Sequence, residues 1–154
     1  MLRDSLSPKN KKIAKKLILI GIPEDLRTKV WLISSGALHQ MKMNPFYYQS
    51  LCELSEKVPG IFDKQIETDL KRTDIPGLTP EEKSENYKHL KQILISYSLR
   101  NSSIGYCQGF NYITSKLFQV TKDEVIIIHI HYNIYTYRNP HFGCFVKLSK
   151  KYYR

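Results

Sequence analysis

The sequence is short of cysteine, of long apolar runs and, over its last thirty residues, of acid. Three cysteines in 154 residues, Cys52, Cys107 and Cys144, stand far apart and are odd in number. They build no disulfide framework, which favours a reduced cytosolic or nuclear setting. No Cys-x-x-Cys pair is present, so the common zinc spacings are missing. The longest apolar stretches, Leu17 to Ile20 and the His-interrupted Val125 to Tyr137, fall short of the roughly 18 residues a membrane-spanning helix requires. A single tryptophan, Trp31, and seven glycines leave no low-complexity segment, and no internal repeat is evident.

What is present is a globular composition, 42% hydrophobic and 12% aromatic, sufficient for one domain with a core. The net charge of +10 is unevenly placed. Residues 1–20 hold six basic residues and one acidic, residues 125–154 hold five basic and none acidic, and the 104 residues between hold thirteen of each. The basic excess therefore belongs to the flanks. It offers a weak contact to an acidic membrane surface, and no nucleic-acid partner is expected, because the flanks carry neither a reading motif nor a base-stacking platform.

Helix signals follow one another along the chain. Lys11 to Ile20 suggests a first short helix. Gly21-Ile22-Pro23-Glu24-Asp25 opens the next, with proline in the first turn and acids against the positive end of the dipole. Leu26, Val30 and Ile33 are expected on its buried side, with Trp31 one turn after Arg27, and Gly36 closes it. Asn44-Pro45 is expected to cap a helix that buries Phe46, Tyr47, Leu51 and Leu54 and stops at Pro59-Gly60. Ile61, Phe62, Ile66 and Leu70 mark the inner side of the following one, which ends at Thr73-Asp74-Ile75-Pro76-Gly77. Thr79-Pro80-Glu81-Glu82 has the form of a capping box and starts a long helix carrying Leu90, Ile93, Leu94 and Tyr97, broken at Asn101-Ser102-Ser103. A glycine-flanked glutamine, Gly105-Tyr106-Cys107-Gln108-Gly109, leads into a helix with Tyr112, Ile113, Leu117, Phe118 and Val120. From Val125 to Tyr137 local propensity favours strand.

Two patterns carry chemistry. Asp69 and Arg72 lie one helical turn apart, so the carboxylate is placed to orient the planar guanidinium at a helix end, beside a loop. Gln108 sits between small residues that let a partner's backbone approach it. Together, Gly21-Ile22-Pro23 with Leu26-Arg27 and Trp31, then Ile66-x-x-Asp69-x-x-Arg72-Thr73, then Gly105-Tyr106-Cys107-Gln108-Gly109-Phe110-Asn111, resemble the three signature motifs of the TBC domain of Rab GTPase-activating proteins. They stand in the family's order, and the resemblance covers roughly Leu17 to Glu124.

The resemblance implies an all-α, multi-helix TBC domain that binds a Rab small GTPase in its GTP state and accelerates hydrolysis in trans, regulating vesicle traffic. By position Arg72 is the arginine finger and Gln108 the glutamine finger. Asp69 supports the guanidinium, Tyr106, Arg27 and Trp31 build the framework, and Asn111 fixes the loop, with Ile66, Leu70 and Ile104 as core beneath. The chain needs no cofactor of its own, since GTP and magnesium belong to the partner. A cytoplasmic setting, peripheral on endomembranes, is expected.

The alternative is a non-catalytic Rab-binding or scaffold module, or an inactive truncated product; a nucleic-acid binder is the remote third. Family domains continue for about a hundred residues of helix past the glutamine motif. Residues 1–16 are thus expected to be a basic segment, 17–124 the N-terminal half of such a domain, and 125–154 a non-homologous basic Ile/Tyr/His-rich tail from read-through of a non-coding stretch or a truncated gene model. His129-x-His131 and His141-x-x-Cys144 in that tail have a zinc-like look, but without a Cys-x-x-Cys partner no metal site is expected.

Overall fold

A computed structural model of the chain describes residues 16, 19–75 and 78–136. Apart from Lys16, the basic segment 1–16 lies outside the described residues, as do His141 and Cys144. Between Glu24 and Thr136 the described residues build seven helices and no strand.

Helix α1, Glu24–Ser35, starts after Pro23 with Glu24 and Asp25 in its first turn, and Gly36 ends it in the left-handed region at φ 81°. Its buried stripe is displaced from the expected one. Leu26 and Ile33 are exposed, whereas Trp31 and Leu32 pack on the core and Ser35 is buried. The stripe is Thr28, Trp31, Leu32 and Ser35. The helical period holds, but apolar residues on several sides of the helix leave its phase open to the tertiary contacts. Helix α2, Ala37–Met43, follows Gly36 directly, in a stretch with no helix signal of its own. Asn44 closes α2 instead of capping the next helix, α3, Tyr47–Lys57. Tyr48 and Leu51 are the buried residues of α3, while Phe46 and Leu54 face outward, against expectation.

Helix α4, Asp63–Lys71, buries Ile66 and Leu70, and Phe62 packs partly against the core, whereas Ile61 is 95% exposed. Helix α5, Pro80–Arg100, has the expected capping box: Glu82 N–H donates to Thr79 Oγ1 (3.2 Å) and Thr79 N–H to Glu82 Oε2 (2.8 Å). Its second half is buried on every side from Ile93 to Ser98, because α3, α4, α6 (Phe110–Thr121) and α7 (Glu124–Thr136) all pack on it.

Helix α7 overturns the expectation of strand from Val125 onward. Its Ile127, Ile128 and Ile130 are fully buried, and it packs against α1, α2, α5 and α6. A β-branched residue costs a helix a few tenths of a kcal/mol, while burying each isoleucine returns roughly 1.5 to 3 kcal/mol. Packing therefore sets the conformation. The two histidines are packing groups on this helix and do not share the face a strand would give them. His129 Nδ1–H donates to Val125 O (2.8 Å), and His131 Nε2 meets Thr114 Oγ1 (2.9 Å). His131 lies within the ring cluster of Tyr97 and Phe110 at 5.5 and 6.0 Å, and Tyr106 joins Phe110 at 6.1 Å. Burial drives the His131 pKa down from 6.5 to about 3, and burial also lowers that of His129.

Candidate functional site

The site is assembled where the end of α4 meets the loop between α5 and α6. Arg72 terminates α4, with its backbone N–H on Asp69 O at 3.2 Å and its side chain in solvent. A cation suits this position, the negative end of the helix dipole. Its neighbour Thr73 turns inward and donates its hydroxyl to Asp69 O (2.8 Å).

The loop is shaped by two glycines with positive φ. Gly105, at 65°, lies so close to the Phe62 ring that a Cβ would collide with it, and Gly109, at 98°, precedes α6. Between them Tyr106 is buried and Gln108 is exposed. Tyr106 Oη donates to Asp69 Oδ2 (2.9 Å). Its pKa is raised, first by burial and then by the hydrogen bond and charge of Asp69, so the phenol stays protonated and keeps donating.

Asn111, in the first turn of α6 and only 2% exposed, completes the join. Its Oδ1 accepts from Gly109 N–H (3.1 Å), and its Nδ2 donates to Thr73 Oγ1 (2.7 Å) with a longer reach of 3.4 Å to Asp69 O. One amide thus holds the residue after Gln108 and the residue after Arg72. The two solvent-facing side chains, 36 positions apart, are each adjacent to a member of the same hydrogen-bond network.

The structure brings Asp69, Tyr106 and Asn111 together beneath Arg72 and Gln108. Asp69 does not hold the guanidinium as its spacing suggested; among the described residues it forms no ion pair with Arg72, its carboxylate being taken by Tyr106. Arg27 and Trp31 belong to α1, whose main packing partners are α2, α6 and α7. There Arg27 Nε donates to Ile22 O (3.0 Å) and fastens the Gly21–Pro23 entry to the helix. Ile104 is 40% exposed and is not core. Two further residues, Thr73 and Phe62, belong to the site. Thr73 was signalled by its place beside Arg72, whereas nothing local foretold that the Phe62 ring backs Gly105.

The Rab-GTPase-TBC domain family matches residues 24–154, a range that runs past Glu124 and includes α7. "Growth hormone-regulated TBC protein 1" of Xenopus laevis is 42% identical over 113 residues, covering 71% of this chain and 32% of that protein. "Growth hormone-regulated TBC protein 1-A" of Danio rerio is 38% identical over 112 residues, covering 71% of this chain and 31% of that protein. Among solved structures, the Chlamydomonas flagellar RabGAP TBC domain superposes with a TM-score of 0.70 at 26% identity, over 86% of this chain and 46% of that one. The chain spans about a third of the length of the curated relatives it matches. With its all-helical fold and the matched range covering most of its length, the chain belongs to the Rab-GTPase-TBC domain family.

Proposed function

We propose that the chain engages a GTP-loaded Rab-type GTPase and accelerates its GTP hydrolysis, with Arg72 and Gln108 entering the partner's nucleotide site. The observation that carries this reading is that both residues are exposed while their neighbours are tied together in a partly buried network around Tyr106 and Asn111.

Phosphoryl transfer spreads negative charge over the oxygens of the transferred group, so catalysis depends on positioned charge and an oriented water. Arg72 presents a planar fork of N–H donors to those oxygens; lysine, a point charge, does not reproduce it. Gln108, which donates and accepts through one amide, orients the attacking water. GTP and magnesium are brought by the partner. The role of Tyr106, Asp69 and Asn111 is to hold the two side chains at fixed spacing, and Arg27 and Trp31 act only through the scaffold. Among the described residues no helix is long and apolar enough to cross a membrane. The basic flanks would add a weak contact to an acidic membrane surface.

GTP hydrolysis by a panel of GTP-loaded Rabs, with wild type, Arg72→Ala and Gln108→Ala, tests the reading. Wild type should activate at least one Rab, and loss of Arg72 should reduce that activation by ~10³- to 10⁵-fold. Activation that survives both substitutions refutes the mechanism. Binding without activation by wild type favours a Rab-binding scaffold.

A further inference from the structure

The loop that carries Gln108 is fastened to both ends of α4. At one end the Phe62 ring, just before α4, fills the space behind Gly105, so close that no side chain fits there. At the other end Asn111 reaches from α6 to Thr73, immediately after Arg72. Thr73 Oγ1 has two engagements: it donates to Asp69 O at 2.8 Å and accepts from Asn111 Nδ2 at 2.7 Å. Asn111 Oδ1 in turn takes the Gly109 N–H, which directly follows Gln108. A continuous path of hydrogen bonds thus runs from the residue beside Arg72 to the residue beside Gln108, through one hydroxyl and one buried amide.

We propose that Thr73 is a positioning residue which, through Asn111, fixes the Gln108 loop relative to Arg72 so that the two side chains act as a single preset pair. The proposal rests on the GTPase-activating reading for its consequence, but the physical coupling is a property of this chain alone. The hydroxyl is what matters. Serine keeps both hydrogen bonds with a smaller side chain, whereas valine keeps the shape and loses both. With valine the Asn111 amide N–H₂ loses its short acceptor, and the loop is released from the helix end.

Thr73→Val and Thr73→Ser test this in two measurements. In the first, with no GTPase present, hydrogen exchange of the backbone amides from Cys107 to Gly109 should speed up by about tenfold in Thr73→Val, the factor expected when a hydrogen bond of about 1.4 kcal/mol is lost, and stay at the wild-type rate in Thr73→Ser. Unchanged exchange in Thr73→Val overturns the proposal, whatever the chain does to a Rab. In the second, with the Rab that wild type activates best, Thr73→Val should lower kcat by about ten- to a hundredfold, the penalty of slight misplacement, while KM stays within about twofold. Thr73→Ser should restore kcat. A Thr73→Val enzyme with wild-type kcat, or one whose KM alone rises, overturns the positioning role. If wild type activates no Rab, the function reading fails, and the exchange measurement still decides whether Thr73 sets the loop.

Discussion

Acidification from neutral pH to about pH 5 should destabilise this fold, in large part through His131. His131 is fully buried between α5, α6 and α7, and its pKa falls from 6.5 to about 3 because the cation cannot be solvated there. In the unfolded chain the same group protonates near 6.5. Above that value both states carry a neutral ring and stability is at its plateau. Below it the unfolded state takes up a proton that the folded state refuses, so stability drops as pH falls, by 1.36 kcal/mol per unit. About 1.5 units separate pH 6.5 from pH 5, which gives a loss of about 2 kcal/mol, a large share of a total stability of ~5 to 15 kcal/mol. The result depends little on the folded value, provided that it lies well below 5. Urea denaturation followed by far-UV circular dichroism at the two pH values checks it: with a slope of ~1 to 3 kcal/mol per molar, the midpoint should fall by about 1 M. His131→Gln, which keeps a polar partner for Thr114 but cannot titrate, should lose less than wild type by that amount. Every other ionisable group is common to the two proteins and cancels in the comparison. An identical midpoint shift in the two refutes the reasoning, since it would mean that His131 titrates in the fold as it does in water.

Two further substitutions probe the elements that position the site. Thr79→Ala removes the hydroxyl that accepts from Glu82 N–H in the capping box at the start of α5, on which four other helices pack, and should cost about 1 kcal/mol in urea denaturation, with Thr79→Ser close to wild type. Gly105→Ala places a methyl group against the Phe62 ring at a φ that side chains disfavour, and should lower stability by about 2 kcal/mol, read as a drop in the thermal midpoint. A Gly105→Ala protein that melts with wild type would show that the loop has room that its close approach to Phe62 denies.

What the sequence made legible is what is decided locally. The capping box, the glycine that closes α1, and the placement of Arg72 at a helix end all follow from a few adjacent residues and are found as expected. What it did not show is decided by distant partners. Asp69 illustrates the competition. Its spacing favours Arg72, but a solvated ion pair one turn apart is worth only ~0.3 to 0.5 kcal/mol, whereas a buried phenol left without an acceptor costs ~1 to 3 kcal/mol. The Tyr106 hydroxyl, 37 positions away, therefore takes the carboxylate. Helix α7 is the same lesson at the scale of an element: its isoleucines prefer strand, and the preference yields once four helices surround them.

That Asp69 serves Tyr106 changes how the site is held. An arginine gripped by its own carboxylate would have to release it to meet a phosphate, and part of the interaction with GTP would be spent in breaking the pair. Here the hydrogen bonds lie in the backbone on either side of Arg72 and Gln108, through Asp69 O, Thr73 Oγ1, Asn111 and Gly109 N–H, while Arg72 itself is exposed. Every one of these bonds closes within residues 69–111, and the packing beneath them, Tyr106 on Phe110 and Phe110 on Tyr97 and His131, comes from α5, α6 and α7. The backbone on either side of Arg72 and Gln108 is therefore linked within the described residues, and on the proposed reading that link is what would preset the pair.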